Sequence, residues 1–552
     1  MTAHQADGSG AINRSRQGFL ALPWNAWHAW AAFLGLAAAG VWLRPAISVG
    51  ETRYLTVTWN MWLTNNHIQL SLDGAAYGHK PPLLFVLMEQ VWDITGPIES
   101  VARLVPPSLT ALCFLLIAYA AKLLWPERAT LAAMAPPLLL SFLIFILFGQ
   151  LVLFDGALTL FALVSITGLL LLMRNRPVAG TLLFGAGIGL GLLTKGPVVL
   201  VFTLPAALLY PVWREQLPDN PGLGQWYTRI GAGVLLGAAM GLTWVVLAVN
   251  ASGAEFGYEL LWRQTAGRIV SSFAHQKAWW FYPAVLPVIA FPWFFYTGAW
   301  NKRCWRGALG EWQFRFLVTA IVSALLIMSL ISAKRLSYML PLYPLLALMF
   351  ARLLDGTQPP RRQYFATIAI CLASAGFAAL ALGYGVKAIP AYVVDGISPW
   401  LGPAWIGIAV LAWLAQKISP DVRIDSYVWT RVALISVLML VTQVGLSKLF
   451  DRLDAYKVLA VIPDVANVPL AVQGNHFGEF GYASRRRQPV ASLKTAEAIH
   501  QWSKDNPDGY LLMHTSRSRR FTKTTPLHVI PFRTFEFGVW KASCFTGELK
   551  CE

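Results

Sequence analysis

Four charged side chains of this sequence stand directly beside long apolar runs, where an unpaired charge is costly. They are Glu51 in "GETRYL", Lys80 in "GHKPPLL", Asp155 in "LVLFDGAL" and Lys195 in "LLTKGPVV". Lysine binds phosphate strongly where water is partly excluded, and a carboxylate can orient or activate a reacting group. If these residues meet, they form a site for a phosphate-bearing ligand at the edge of a membrane.

The composition indicates that membrane helices position these residues. Of the 552 residues, 56% are hydrophobic and only 13% are charged, which is far from the composition of a soluble domain. The net charge of +17 comes from lysines and arginines spread through short loops between apolar runs. This distribution sets membrane orientation, and it does not indicate nucleic-acid binding. We therefore expect an α-helical polytopic membrane protein that has no nucleic-acid partner.

Thirteen apolar runs are candidates for membrane spans, from Trp24–Arg44 through Phe281–Trp300 to Thr430–Phe450. They predict a transmembrane domain over residues 1–450 and leave the polar residues 451–552 as a soluble domain. In this tail, "YLLMHTS" and "LHVIPFRTF" alternate as strands do, and "TAEAIHQWSKD" has helical periodicity. The tail is therefore predicted to be a small α/β domain.

A further apolar stretch, Pro81–Thr95, is predicted to lie flat on the membrane. Its Glu89 and Asp93 are four residues apart, and a carboxylate at mid-bilayer costs on the order of +2.5 to +3.5 kcal/mol. If the stretch crossed, the basic loops that follow would face outwards, against the positive-inside rule. Lying flat, it would keep both acids wet. An amphipathic segment that begins at Glu51 precedes it, so residues 45–103 are predicted to form one external loop with two interfacial helices.

This topology places eight cations on the external side beside the membrane: Arg53, Lys80, Lys195, Arg263, Arg268, Lys277, Lys334 and Arg335. Each could be a surface charge that reaches towards lipid headgroups. Alternatively, several of them converge on a phosphate carried by a lipid. The two acids also have simpler explanations, because Asp155 could cap the helix that starts at Gly156 and Glu51 could be a favourable first-turn charge. The residues alone leave these alternatives open.

Two histidines, His79 and His275, are expected on the same external surface. A divalent metal could bind there, but single histidines beside interfacial aromatic residues more often form ordinary hydrogen bonds. The sequence therefore establishes no cofactor, and a divalent metal remains a possibility. Cys544 and Cys551 lack metal-ligand spacing and could pair if the tail lies outside the cytoplasm.

The order of the motifs along the chain resembles one family. It reads "ETRY", "YGHKPPLLF", "LFDGALTLF", "GLLTKGPVVL", "HQKAWWFYP" and "SAKRLSYMLPLYPLLAL". This order is similar to that of the bacterial glycosyltransferases related to protein O-mannosyltransferases, and especially to the branch that modifies lipid A. The resemblance covers most of the membrane domain and implies a GT-C fold. Such enzymes take a sugar from a polyprenyl phosphate on the periplasmic face and invert its anomeric centre.

Position by position, the resemblance implies roles for the residues above. Arg53, Lys80 and Lys195 would bind the donor phosphate, Glu51 and Asp155 would be the catalytic acids, and Tyr54, Tyr77, Tyr338 and His275 would line the cavity. The family commonly has an Asp-Glu pair where this sequence has Gly50-Glu51, and a glutamate where it has His79. These departures leave the acceptor open.

The function expected from the sequence is the transfer of a sugar from a polyprenyl-phosphate donor to lipid A, lipopolysaccharide or another lipid or glycan acceptor of the cell envelope. The protein would span the bacterial inner membrane, with its active site and C-terminus in the periplasm. A transporter or flippase is the main rival, although transport predicts ionisable groups inside the spans and an internal repeat, which the sequence does not show. An inactive, lipid-binding relative is a third alternative.

Overall fold

The computed structural model describes residues 22–215, 221–253, 276–357, 365–384, 391–418, 423–518 and 524–546. Arg263, Arg268, His275 and Cys551, which carried expectations above, lie outside these ranges.

The protein is mainly helical. The first half contains α1 Trp24–Leu43, α2 Gly50–Thr64, α3 Leu83–Thr95, α4 Glu99–Leu124, α5 Ala129–Leu140, α6 Leu143–Gly149, α7 Phe154–Met173, α8 Pro177–Lys195, α9 Val198–Leu208, α10 Tyr210–Trp213 and α11 Leu223–Ser252. The second half contains α12 Phe281–Ile289, α13 Lys302–Leu309, α14 Trp312–Leu330, the 3₁₀ helix Leu336–Leu342, α15 Tyr343–Leu354, α16 Phe365–Tyr384, α17 Ala391–Gly396, α18 Leu401–Ile418 and α19 Ile424–Gly445.

Within the described ranges, eight helices are long and apolar enough to cross a membrane: Trp24–Leu43, Glu99–Leu124, Phe154–Met173, Pro177–Lys195, Leu223–Ser252, Trp312–Leu330, Leu336–Leu354 and Ile424–Gly445. The pair α5 and α6 adds a ninth candidate, bent by 65°. Three other predicted runs contain shorter apolar helices, which are Val198–Leu208, Ile368–Phe377 and Leu401–Leu414. The chain is thus a multi-pass membrane protein, but only eight or nine of the thirteen expected spans are long enough to cross within the described ranges.

The run Phe281–Trp300 is the exception, because it is not a continuous helix. Only α12, nine residues long, is α-helical, and two 3₁₀ helices, Trp293–Phe295 and Thr297–Trp300, follow it. Pro287 and Pro292 lie within this run, and each removes a backbone donor that an α-helix needs. A nine-residue helix spans about 14 Å at 1.5 Å per residue, too short for a hydrocarbon core of about 30 Å.

The hairpin of α7 and α8 lies at the centre of the helical part. Helix α7 is buried along nearly its whole length. It approaches α8 so closely that a Cβ atom at Gly168 would lie 2.4 Å from the backbone nitrogen of Phe184. Because the two helices are antiparallel, the start of α7 and the end of α8 lie at the same edge of the bundle.

The loop over residues 45–103 contains the two predicted helices, α2 and α3. A short hairpin of β1 (Ser71–Leu72) and β2 (Ala75–Ala76) lies between them. The expectation that α3 keeps both of its acids wet is wrong for Glu89, whose side chain is 2% exposed and lies 2.9 Å from Nε2 of His67. Asp93 is exposed, as expected.

The tail begins with α20 Ser447–Asp451 and α21 Ala455–Leu459. Its strands are β3 Leu470–Gln473, β4 Ala491–Leu493, β5 Tyr510–His514, β6 His528–Phe532 and β7 Phe535–Lys541, and its remaining helices are α22 Ala496–Asp505 and α23 Thr515–Ser518. The sheet order is β4-β3-β5-β7-β6, with β3 parallel to β4 and β5, and β7 antiparallel to β5 and β6. The predicted α/β character is confirmed. Cys544 is disulfide-bonded.

The tail packs against the loop over residues 45–103. In the middle of α2, Oγ1 of Thr56 donates to the carbonyl of Gly478 at 2.9 Å and accepts from the backbone N–H of Tyr482 at 2.9 Å. One turn later, Nε1 of Trp59 donates to the carbonyl of Arg486 at 2.8 Å. One face of α2 is therefore held by the segment 477–486 of the tail.

Candidate active site

Asp155 and Lys195 form an ion pair at the edge of the bundle where α7 begins and α8 ends. The distance from Lys195 Nζ to Asp155 Oδ1 is 2.6 Å, and the two side chains are only 11% and 7% exposed, respectively. An acid in the first turn and a base in the last turn both interact favourably with the helix dipoles. The helix-cap explanation of Asp155 is wrong, because α7 begins at Phe154 and its N-cap is Leu153. The carboxylate bonds a cation from another helix instead.

Tyr338 completes the surroundings of the Lys195 ammonium group. This tyrosine lies in the 3₁₀ helix Leu336–Leu342, and its ring centroid is 4.3 Å from Lys195 Nζ. A cation over an aromatic face is attracted by the negative charge of that face. Lys195 is therefore held from two sides, by the carboxylate and by the ring.

An aromatic cluster brings Lys80 to the same edge. Lys80 Nζ lies 5.8 Å from the ring centroid of Phe154, which directly precedes Asp155. Tyr54 contacts Phe154 at 4.9 Å between ring centroids. Tyr77 packs at 6.0 Å against Phe85, which itself contacts Phe154 at 5.3 Å. Thus the loop over residues 45–103 and the α7–α8 hairpin share one apolar wall with cations beside it.

Tyr54 stays a neutral hydrogen-bond donor in this environment. Burial and the Asp155 carboxylate raise the pKa of its phenol to about 12, against the opposite effect of the Arg53 and Arg335 guanidinium groups. At neutral pH the phenol is therefore protonated and can donate to a phosphate oxygen. The charges of Asp155, Arg53 and Arg335 therefore all act on Tyr54.

Several known proteins are similar to this chain. A family model described as dolichyl-phosphate-mannose-protein mannosyltransferase matches residues 30–220, which include Glu51, Lys80, Asp155 and Lys195. The crystal structure of ArnT from Cupriavidus metallidurans bound to undecaprenyl phosphate has a TM-score of 0.74 at 15% identity and covers 92% of this chain and 96% of that chain. The apo structure of the same protein has a TM-score of 0.76 at 14% identity, with 94% and 98% covered. The chain therefore shares the fold of ArnT over nearly its whole length, and residues 30–220 resemble the mannosyltransferase family.

Several relatives of this chain carry the name undecaprenyl phosphate-alpha-4-amino-4-deoxy-L-arabinose arabinosyl transferase. The protein from Pectobacterium atrosepticum is 27% identical over 391 residues, which are 67% of this chain and 68% of that protein. Transferase 1 of Pseudomonas fluorescens is 24% identical over 476 residues, which are 84% of this chain and 83% of that protein. The match to the Aeromonas salmonicida protein, at 26% identity, spans 56% of each chain.

Glu51 lies in a separate buried cluster. Nη1 of Arg44 lies 2.5 Å from its Oε2 and Nη2 lies 3.0 Å from its Oε1, while the backbone N–H groups of Ile47 and Val152 donate to it at 2.9 and 2.8 Å. Burial alone would raise the pKa of this carboxyl, but Arg44 and the other donors lower it to about 2. Because both oxygens are bonded, the structure does not favour the catalytic role expected for Glu51. The bond to Val152 instead links α2 to the segment that precedes Asp155.

Arg53 points towards the tail of the chain. Its Nε donates to the carbonyl of Phe477 at 3.2 Å, and its guanidinium group lies 5.4 Å from the ring centroid of Phe477. Its charge also acts on Tyr54, so Arg53 stands between the tail and the cation-lined edge. Direct contact with a donor phosphate stays a prediction for this residue.

The metal site suggested by the sequence stays untested, because His275 lies outside the described residues. His79 is exposed and stacks on Tyr77 with the ring centroids 5.2 Å apart. In the part of the chain that the structure describes, no three His, Cys, Asp or Glu residues gather as metal ligands would. We route no chemical step through a metal.

Sequence reasoning missed three residues that shape this site. Arg44 binds Glu51, Arg103 donates to the carbonyl of Arg44 at 3.0 Å, and Phe154 provides the wall beside Lys80. A usable signal existed for the arginines, since both lie next to apolar runs on the side predicted to be external, without support from a cluster of basic residues. Phe154 had no signal, because an aromatic residue at the start of an apolar run is ordinary.

Proposed function

We propose that this protein transfers a sugar from a polyprenyl-phosphate donor to a phosphate-bearing lipid A or another cell-envelope acceptor, with inversion at the anomeric carbon. The observation that carries the proposal is the placement of Lys80 and the Asp155–Lys195 pair on one aromatic-lined edge of the bundle. The 4-amino-4-deoxy-L-arabinose and undecaprenyl phosphate in the names of its relatives support an amino sugar on such a lipid.

The chemistry is a displacement at the anomeric carbon. An oxygen of the acceptor forms the new bond to this carbon, while the bond to the donor phosphate oxygen breaks and its electron pair leaves with the lipid phosphate. Negative charge develops on that phosphate, and preorganised cations stabilise it, typically by a few kcal/mol. Lys80 and Lys195 are proposed for this role, with the Tyr54 phenol as a neutral donor.

Asp155 is the acid proposed to act on the acceptor. An acceptor phosphate is ionised near neutral pH and attacks without losing a proton, whereas a hydroxyl acceptor would transfer its proton to a base. Because Gly50 replaces the aspartate common in the family and Glu51 is bonded to Arg44, a phosphate acceptor fits this site better. With a phosphate acceptor, Asp155 would act through Lys195, whose ammonium group it holds at 2.6 Å.

We also propose that the site faces the periplasm from the bacterial inner membrane. Arg174 ends α7 at the opposite end from Asp155, and Arg128 and Arg352 bind Glu311 at 3.2 and 2.6 Å where α14 begins. Short basic loops mark the cytoplasmic side of a membrane protein. This rule supports placing the Asp155 end, and the tail that packs beside it, outside the cytoplasm.

Reconstitution tests the proposal. Purified protein in liposomes is given undecaprenyl phosphate-linked 4-amino-4-deoxy-L-arabinose and lipid A, and the lipids are analysed by mass spectrometry. Transfer predicts lipid A heavier by one aminopentose residue, and free undecaprenyl phosphate in equal amount. Movement of the donor between leaflets without a new product would support a flippase and overturn the proposal, and so would binding of the donor with neither movement nor product. A parallel sample with a chelator tests for a divalent metal.

A further inference from the structure

Two adjacent cations, Lys334 and Arg335, have opposite environments. Lys334 is 3% exposed, and its ammonium group donates to the carbonyls of Ile331 and Lys277, the latter at 3.1 Å. Arg335 is exposed. The buried lysine is therefore occupied in holding two backbone segments together, while the arginine beside it presents its charge outwards.

The backbone of Arg335 is fixed. The hydroxyl of Tyr282 donates to the Arg335 carbonyl at 3.1 Å and accepts from the Arg335 N–H at 3.2 Å. Tyr282 is fully buried, so it is a rigid support. An exposed guanidinium on a fixed backbone loses less conformational entropy on binding an anion than one on a loose loop.

Arg335 stands at the edge of the site described above. It directly precedes the 3₁₀ helix Leu336–Leu342. The N–H of Tyr338 donates to the Arg335 carbonyl at 3.1 Å, and this hydrogen bond closes a turn between the two residues. Tyr338 contacts the Lys195 ammonium group. The charge of Arg335 also acts on the Tyr54 phenol. Arg335 is thus one turn before Tyr338, the residue that contacts Lys195.

The proposed reaction brings two phosphates to this edge, that of the donor and that of the acceptor. Lys80, which lies beside Phe154, and Lys195, which bonds Asp155, are proposed for the donor phosphate. Within the described ranges, Arg335 makes no ion pair with a carboxylate. It is therefore a further exposed cation at this edge, in place for the second phosphate.

We propose that Arg335 binds a phosphate group of the acceptor and so helps to select phosphorylated acceptors. The inference rests on the proposed function, since it takes the site to hold a polyprenyl-phosphate donor. A guanidinium group offers two parallel N–H donors that match two phosphate oxygens, which favours a phosphate over a neutral sugar hydroxyl.

The test compares Arg335→Gln and Arg335→Lys with the wild-type protein in nanodiscs. The probes are undecaprenyl phosphate for the donor site, and lipid A with and without its phosphate groups for the acceptor site. Dissociation constants are measured for each lipid, and KM and kcat for transfer. Arg303→Gln is the matched control, because Arg303 is an exposed arginine on α13, a different element.

We expect Arg335→Gln to raise the Kd and KM for phosphorylated lipid A about tenfold, the loss expected for one charge-assisted phosphate contact. The Kd for undecaprenyl phosphate and for dephosphorylated lipid A should stay within about twofold, kcat should change little, and Arg335→Lys should recover part of the affinity. An unchanged Kd for phosphorylated lipid A, or a change for the donor alone, overturns the inference. Wild-type protein that binds both lipids without transfer contradicts the proposed function, while the Kd comparison still tests Arg335.

Discussion

Lys195 Nζ lies 2.6 Å from Oδ1 of Asp155 and 4.3 Å from the ring centroid of Tyr338. The lysine ends one membrane helix, the acid begins the preceding one, and the tyrosine comes from a 3₁₀ helix more than 140 residues further along the chain. A mostly buried ammonium group needs such compensation, because burial of an unpaired charge is expensive. The pair is therefore both a structural tie and a preformed charge distribution at the site.

We expect Asp155→Asn to lower the transfer rate at least about 100-fold, in the range typical of lost acid–base or charge-orienting groups. Asparagine keeps the size of the side chain but cannot balance the Lys195 charge. Transfer is measured with saturating donor, and thermal unfolding reports folding. Asp93→Asn, at an exposed acid of α3, is the control and should leave transfer unchanged. Full activity in Asp155→Asn would remove this residue from the mechanism.

Lys80→Ala should weaken the binding of undecaprenyl phosphate about tenfold or more, because a phosphate loses a cation in a partly dehydrated site. Lys80→Arg should keep part of the affinity, since it retains the charge with a different shape. Binding is measured with the purified lipid in nanodiscs. Lys302→Ala, at an exposed lysine that begins α13, is the matched control. Equal affinities for the Lys80→Ala and Lys302→Ala proteins would contradict the assignment of Lys80 to the donor.

Glu51→Gln should destabilise the protein by about 3–5 kcal/mol at neutral pH, the usual cost of breaking a buried ion pair. The pKa of Glu51 is lowered from 4.5 to about 2 in the folded protein. Its ionisation therefore contributes stability that is complete above about pH 4.5 and is lost as the pH falls towards 2. The difference in thermal stability between wild type and variant should shrink over the same interval. A variant of unchanged stability that cannot transfer sugar would return Glu51 to a catalytic role.

Thr56→Val should loosen the contact between α2 and the tail. Valine has nearly the same shape but removes the hydrogen bonds to Gly478 and Tyr482, and the Tyr482 N–H left without a partner costs about 1–3 kcal/mol. Limited proteolysis should cut the tail of the variant faster, and the affinity for undecaprenyl phosphate should fall because α2 carries Arg53 and Tyr54. Thr56→Ser keeps the hydroxyl and should behave like wild type. Identical proteolysis of all three proteins would show that this contact does not hold the tail.

Local patterns determined much of this architecture. The apolar runs, the two helices of the 45–103 loop and the α/β tail could be predicted because hydrophobic periodicity and the cost of a charge in lipid act over neighbouring residues. The prediction of a membrane span over Phe281–Trp300 was wrong, because it rested on hydropathy and ignored the helix-breaking effect of Pro287 and Pro292. The external positions of Lys80, Asp155 and Lys195, predicted from the same local rules and the charge of the loops, stay a prediction.

Only the tertiary structure decided which charges have partners. Glu51 is bonded to the N–H of Val152, 101 residues away, Glu89 is buried against His67, and Arg53 reaches the carbonyl of Phe477 in the tail. None of these pairs follows from spacing along a helix or strand, because each joins separate elements. The energy of a charge depends on its three-dimensional surroundings, so the sequence could place Asp155, Glu51 and Arg53 near the membrane edge. It could not tell that only Asp155 meets Lys195 while Glu51 is sequestered by Arg44.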